Sequence, residues 1–331
     1  MLNVAVAGLG WWGKTIVGLL ARSTKLRAIL LVEPDPAARG FATQAGIPVV
    51  GTLEAALADP KVQAMILCTP HSTHCEQIVA TAKAGKHVFC EKPFCMSEAE
   101  VTRALQAVSE AKVAVGVGHE RRFEAPMAAV MKLADSGALG TLLQVEGNFS
   151  QDKFIGLAAD NWRLSAREAP AGPLTATGIH MFDLAIRFLG PGENVLARVR
   201  QLGSSLTNGD TLGALVTHRS GANALISAIL ATPFMGRFAI YGSQGWAEIW
   251  DRNHPESPQG WIVRTKLRGG EVESKDYAPM PAVLANLEAF ADAALGVAPY
   301  PVTHAQIRAT VCALEAVVRS AASGVIEPIS Q

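Results

Sequence analysis

Three clusters of residues have the types and spacing to do chemistry. The first is Gly8-Leu9-Gly10-Trp11-Trp12-Gly13, three glycines spaced G-x-G-x-x-G between the apolar run Val4–Ala7 and a helix-compatible stretch. In that context Gly8 allows a tight turn, Gly10 lets backbone approach a diphosphate, and Gly13 lets helix and strand pack closely. The diphosphate then sits on a helix N-terminus, where unpaired N–H groups and the macrodipole favour anions. Glu33 closes the next strand-like run. A carboxylate there accepts hydrogen bonds from an adenosine ribose and repels a 2′-phosphate. The adjacent Pro34 and Asp35 supply no compensating cation, so NAD is expected in preference to NADP.

The second cluster is Thr69-Pro70-His71-Ser72-Thr73-His74 with Cys90-Glu91-Lys92-Pro93, each following a short apolar run. The third is Gly172-Pro173-Leu174-Thr175-Ala176-Thr177-Gly178-Ile179-His180-Met181-Phe182-Asp183. His71 and His74 raise the question of a metal, but no third ligand of suitable type accompanies them and none is expected.

The elements that must position these residues divide into two textures. Val4–Ala7, Ala28–Val32, Ala64–Cys68, His87–Cys90 and Val113–Val117 read as strands. They alternate with helix-compatible segments at Trp12–Ala21, Pro36–Ala45, Leu53–Ala58, Thr73–Ala84 and Ser97–Ala111. The strands lack polar alternation, as in a parallel sheet covered on both faces. Ser97 with Glu100 makes a capping-box start. After a helix at Glu124–Asp135 come runs at Leu142–Phe149, Ala197–Gly203, Gly213–His218, Asn223–Ala231, Phe238–Tyr241, Ala247–Trp250 and Trp261–Leu267, broken by turn residues. These predict a mainly antiparallel sheet, interrupted by a helix over Gly178–Leu189. Ala282–Leu295 and Ala305–Ala322 carry apolar stripes at helical spacing. The expected fold is a doubly wound α/β Rossmann domain (1–118), then an α+β domain with a large open sheet (119–331).

Composition bounds the partners. Formal net charge is zero and no basic run stands out, against nucleic acid or an anionic membrane as partner. The N-terminal segment reads as a strand and not a signal peptide, and Ala222–Phe234 is too short to span a bilayer. A cytoplasmic protein is expected. Its five cysteines (Cys68, Cys75, Cys90, Cys95, Cys312) include no C-x-x-C pair and read as buried, reduced thiols. Cys90 and Cys95 flank Glu91-Lys92-Pro93, which brings one of them near a cofactor without making it a nucleophile.

Taken together, Thr69–His74, the run Gly85-Lys86-His87-Val88-Phe89-Cys90-Glu91-Lys92-Pro93, Gly118-His119-Glu120-Arg121-Arg122-Phe123 and Gly172–Asp183 resemble the glucose–fructose oxidoreductase / inositol dehydrogenase (Gfo/Idh/MocA) family over essentially the whole chain. The resemblance implies an NAD-dependent dehydrogenase acting on a secondary alcohol such as a sugar or cyclitol. It places Thr69, Pro70, His71, His74, Glu91 and Lys92 along the cofactor, with Lys92 also at the substrate hydroxyl. His180 matches the acid/base, whose neutral imidazole accepts the hydroxyl proton. Many members carry an Asp where this chain has Ala176, so a Lys–Asp–His triad is not complete here. Asp183, three residues after His180, matches a further family Asp. Arg122, Trp162 and Arg163 resemble substrate-mouth residues; for Trp162 the alternative is an aromatic anchor of the loop from Gln151 to Gly172. The resemblance also implies a homodimer or homotetramer through the second-domain sheet. Two other activities compete: redox-assisted elimination or glycoside cleavage with tightly held NAD, and a non-enzymatic nucleotide-binding regulator.

Overall fold

The computed structural model describes every residue except Ala159 and Gln331. The chain forms two compact units, residues 1–120 with 283–307 and residues 121–282 with 308–331.

The first unit is built on six parallel strands. In chain order its elements are β1 (Leu2–Ala7), α1 (Trp11–Leu20), β2 (Leu26–Val32), α2 (Gly40–Ala45), β3 (Val49–Val50), α3 (Leu53–Ala58), β4 (Ala64–Leu67), α4 (His74–Lys83), β5 (His87–Cys90), α5 (Glu98–Ala111) and β6 (Val115–Val117). The strand order is β3-β2-β1-β4-β5-β6. It reverses between β1 and β4, and such a switch point opens a crevice at the carboxyl ends of the strands. Strand β4 is buried throughout, as expected of a central strand covered on both faces. The segment expected as one helix over Pro36–Ala45 is a 3₁₀ turn (Pro36–Arg39) followed by α2. At α5 the Ser97 side chain accepts from the Glu100 N–H at 3.3 Å, while Glu100 reaches back to the Met96 N–H at 2.9 Å.

The second unit comprises α6 (Ala125–Asp135), β7 (Leu142–Ser150), α7 (Ile179–Leu189), β8 (Gly192–Arg200), β9 (Thr211–His218), β10 (Asn223–Ile229), β11 (Met235–Gly242), β12 (Gly245–Asp251), β13 (Trp261–Leu267) and β14 (Glu273–Tyr277). Helices α8 (Ala282–Ala294) and α9 (His304–Ser323) follow, then β15 (Glu327–Pro328). The nine strands run β14-β13-β12-β11-β7-β10-β9-β8-β15. All neighbours are antiparallel except β7 and β10. One face buries Val145, Phe149, Val216, Ile226 and Phe238 in a core with Met181, Leu184 and Leu314.

The strand expected over Ala197–Gly203 instead ends at Arg200. Beyond it the Leu202, Gly203 and Ser204 N–H groups all donate to the buried Asp210 carboxylate at 2.8–3.1 Å, so these residues turn instead of pairing. Burial pushes the Asp210 carboxyl up, but this ring of donors with the Ser204 and Thr211 hydroxyls outweighs it and holds the pKa at about 2.

Residues 283–307 fold with the first unit. Leu287, Phe290 and Ala291 belong to its core, and Phe290 meets Phe89 edge-on at 5.6 Å. Gly116 on β6 leaves the space this ring occupies, since a Cβ there would lie 3.0 Å from Phe290.

Candidate active site

In the first unit the expected residues gather at the carboxyl ends of the parallel strands. Gly8 adopts φ +88°, and a Cβ on it would stand 2.6 Å from the Cys68 carbonyl oxygen, so the turn after β1 requires glycine. A Cβ on Gly13 would overlap the Gly8 carbonyl oxygen, which fixes how closely α1 packs. Above Gly10 a Cβ would meet no atom within 4 Å. Gly10 is the N-cap of α1, no side chain caps the helix, and no acidic residue occupies its first turn. An open, uncapped helix start suits a dinucleotide diphosphate. Trp11 is exposed at the start of this helix and packs edge-on against Trp12 at 5.7 Å.

Glu33, at the end of β2, is buried and tied to the glycine turn. Its Oε2 accepts the Leu9 N–H at 2.8 Å and its Oε1 the Asp35 N–H at 3.0 Å. The adjacent Pro34 and Asp35 supply no cation, but a residue further along the chain does. Arg39 folds back from the 3₁₀ turn, its Nε donating to the Glu33 carbonyl at 2.8 Å and its Nη2 to the Pro34 carbonyl at 3.1 Å. A guanidinium six residues downstream thus stands beside the strand end.

After β4, Thr69 and Pro70 lead into a 3₁₀ turn at His71–Thr73. The Thr73 hydroxyl donates to the Pro70 carbonyl at 2.7 Å, and the Thr69 hydroxyl donates to Gln77 at 2.5 Å. His71 meets His74 edge-on at 5.8 Å. His74 is fully buried, with Nδ1 2.7 Å from the Pro93 carbonyl and Nε2 3.0 Å from the Thr69 carbonyl. It is a strut between two site segments. Glu91 is buried at the end of β5, where a Cβ on Gly118 would collide with its carboxylate. Lys92 follows, partly exposed, and its peptide bond to Pro93 is cis. Among the described residues, no three His, Cys, Asp or Glu side chains converge to hold a metal.

In the second unit the chain enters α7 through a π-helical turn, Leu174–Gly178, which holds Thr175, Ala176 and Thr177. Such wide turns recur at functional sites. His180 lies in the first turn of α7, buried, with its ring 5.7 Å from Phe149 on β7. Phe149 is flanked on another side by His254, also at 5.7 Å, and the Arg121 guanidinium lies over it at 5.2 Å. Asp183 is held by Arg122: Nε to Oδ2 at 2.6 Å, Nη2 to Oδ1 at 2.7 Å, and Nη2 to the Asp183 carbonyl at 3.0 Å. This bidentate pair is buried on both sides and ties Arg122 to α7 at Asp183, three residues after His180. Trp162 and Arg163 share a 3₁₀ turn capped by the Asn161 side chain, with the guanidinium stacked 4.1 Å from the Trp162 ring.

Arg39, Phe149 and His254 were not singled out in the sequence. Arg39 lies in a turn with no motif, Phe149 is one apolar residue in an alternating strand, and His254 sits in a loop. No spacing marks them.

Comparisons with known proteins agree with this fold. Residues 2–119 match the oxidoreductase family with NAD-binding Rossmann fold, and residues 127–248 match the GFO/IDH/MocA C-terminal domain. The 1,5-anhydro-D-fructose reductase of Ensifer adhaerens is 29% identical over 280 residues, covering 80% of this chain and 81% of that enzyme. The inositol 2-dehydrogenase of Rhizobium meliloti (strain 1021) is 33% identical over 144 residues, which is 44% of either protein's length. Among solved structures, the aldose-aldose oxidoreductase from Caulobacter crescentus, complexed with glycerol, superposes with a TM-score of 0.86 at 26% identity, covering 99% of each chain. With both domain signatures present in order, on the fold described above, the chain belongs to the Gfo/Idh/MocA oxidoreductase family.

Proposed function

We propose that this protein is an NAD-dependent dehydrogenase of secondary alcohols, with a sugar, cyclitol or related polyhydroxyl compound as substrate. The observation that carries the reading is topological. The open glycine turn, the Thr69–His74 turn and Lys92 follow β1, β4 and β5, three adjacent strands at the switch point of one parallel sheet. The names of the relatives, which act on anhydrofructose, inositol and aldoses, support the substrate class.

Bound nicotinamide would supply the hydride acceptor or donor. The N–H groups at the start of α1 bind the diphosphate, and Glu33, already held rigid by Leu9 and Asp35, keeps lone pairs for the ribose hydroxyls. Lys92 brings an ammonium that lowers the cost of negative charge developing on the substrate oxygen. His180 takes the proton from that hydroxyl on a ring nitrogen. Its ring is held by the start of α7 and by Phe149, with the Arg122–Asp183 pair bracing the helix one turn on. Ala176 offers no carboxylate, so the imidazole works without an acidic partner at that position.

The second-unit sheet supports assembly into a homodimer or homotetramer. On the face away from its core, Leu196, Leu215 and Leu225 stand side by side across β8, β9 and β10. The decisive experiment is NAD reduction across a panel of polyols, aldoses and hydroxy acids. Turnover of a polyol or aldose supports the reading, and failure with every hydroxyl compound while NAD still binds rejects it.

A further inference from the structure

The segment that returns to the first unit carries two polar side chains into its core. Asn286 lies on the inner side of α8 beside Leu287 and Phe290 and is only 1% exposed. Tyr300 follows α8 and packs, half-buried, against the same core. A buried amide needs partners at both ends. Asn286 finds one of them at Val117, the last residue of β6. Strand β6 is an edge of the six-stranded sheet. The next residue, Gly118, donates its N–H inward to the Cys90 carbonyl at 2.9 Å. By alternation the N–H and C=O of Val117 point outward, where an edge strand has no ladder partner.

Asn286 and Tyr300 stand in for that partner. The Val117 N–H donates to Tyr300 Oη at 3.2 Å, the Tyr300 hydroxyl donates to Asn286 Oδ1 at 2.6 Å, and Asn286 Nδ2 donates to the Val117 carbonyl at 2.9 Å. The hydroxyl also lies 2.9 Å from the Val117 carbonyl. That oxygen already accepts from Asn286 and from the His119 N–H at 2.7 Å, which fill its two lone pairs. The phenol proton therefore goes to Asn286, and the three residues close a ring of hydrogen bonds. The ring stands one residue from the site. A Cβ on Gly118 would collide with Glu91 Oε2, and this same oxygen accepts the Lys92 N–H at 3.3 Å.

We propose that Asn286 and Tyr300 are positioning residues for Lys92, acting through the end of β6 and the Glu91 carboxylate. The ring fixes Val117 and with it Gly118; Gly118 leaves room for the carboxylate; the carboxylate holds the backbone of Lys92. The effect on turnover rests on the proposed role of Lys92 at the substrate oxygen, whereas the coupling of the ring to the Lys92 backbone does not.

Tyr300→Phe opens the ring while keeping the aromatic packing. Amide hydrogen exchange on the full chain without cofactor reads the coupling with no substrate needed. Exchange at Val117 and at Lys92 should each rise about tenfold, with the amides of β4 unchanged. A Lys92 amide as protected as before would overturn the proposal, as would an equal rise across β4, the mark of general loosening. Asn286→Asp keeps the acceptor for Tyr300 but turns an oxygen towards the Val117 carbonyl, and should give the same pattern. On an identified substrate, Tyr300→Phe should lower kcat by about tenfold, short of the roughly 10²-fold that a 1 Å misplacement can cost, with NAD affinity changed far less. In a Lys92→Ala background the same substitution should cost nothing further, since the two act as one unit. An undiminished loss there would overturn action through Lys92. Should the unmodified protein turn over no hydroxyl compound, the role of Lys92 at a substrate oxygen fails, and the exchange measurement alone still decides whether the ring positions it.

Discussion

His180 and Asp183 lie three residues apart on one helix, yet the carboxylate is drawn to Arg122 by two charge-assisted bonds and a third contact through its own carbonyl. His180→Ala should therefore lower turnover on an identified substrate by about 10²–10⁴-fold while leaving NAD affinity nearly unchanged. Steady-state kinetics with a parallel NAD titration separates the two effects, and near-full turnover would make His180 structural. Arg122→Ala should act differently, destabilising the fold by about 3–5 kcal/mol because it strands a buried carboxylate, as chemical denaturation would report. At the proposed ribose site the Glu33 carboxylate and the Arg39 guanidinium should have opposite effects on a 2′-phosphate. Glu33→Ala should narrow the gap between NAD and NADP affinities in calorimetric titration, and Arg39→Ala should widen it. Tighter NADP binding by the unmodified protein would reverse this assignment. The glycines, Glu33, Lys92 and His180 could be read from the sequence because each sits in a spaced motif. Arg39 could not, since its proximity to Glu33 depends on how one turn folds back.

At the scale of elements, the alternation of buried strands and helices over the first 118 residues was legible because parallel strands covered on both faces must be apolar throughout. Strand β14, Glu-Ser-Lys-Asp-Tyr, was not. It is a sheet edge, exposed along most of its length, and carries no apolar face to betray its period. The end of β8 was misread for another reason. Leu202 and Gly203 look strand-compatible, but Asp210 offers their N–H groups a carboxylate in place of a ladder partner. That cap gives the turn a pH signature. The folded pKa of Asp210, about 2, lies below its ordinary value near 3.8, so its stabilisation is complete above about pH 4 and is lost as pH falls towards 2. Asp210→Asn should cost about 1–2 kcal/mol at neutral pH, less at pH 2. Denaturant titrations at the two pH values provide the check, and an equal cost at both would show that charge plays no part.

Across the whole molecule, the outward leucine row on β8, β9 and β10 bears on assembly. Leu215 and Leu225 are 41% and 43% exposed although they are cross-strand neighbours in the middle of a long sheet. Leu215→Glu should lower the sedimentation coefficient to that of a monomer without loss of secondary structure. An unchanged oligomer would locate the subunit contact elsewhere. No described helix is long and apolar enough to cross a membrane. The return of residues 283–307 to the first unit was hidden from the sequence, where α8 reads simply as another amphipathic helix and nothing local says which core it completes. Its consequence is genetic. A gene cut once near codon 120 would deliver a nucleotide-binding half without Leu287, Phe290 and Ala291, leaving Phe89 and Gly116 facing the gap. Recombination that exchanges the second unit for another must therefore keep residues 1–120 and 283–307 in step, and two-point crossovers, not simple fusions, are the route by which such chimaeras would stay folded.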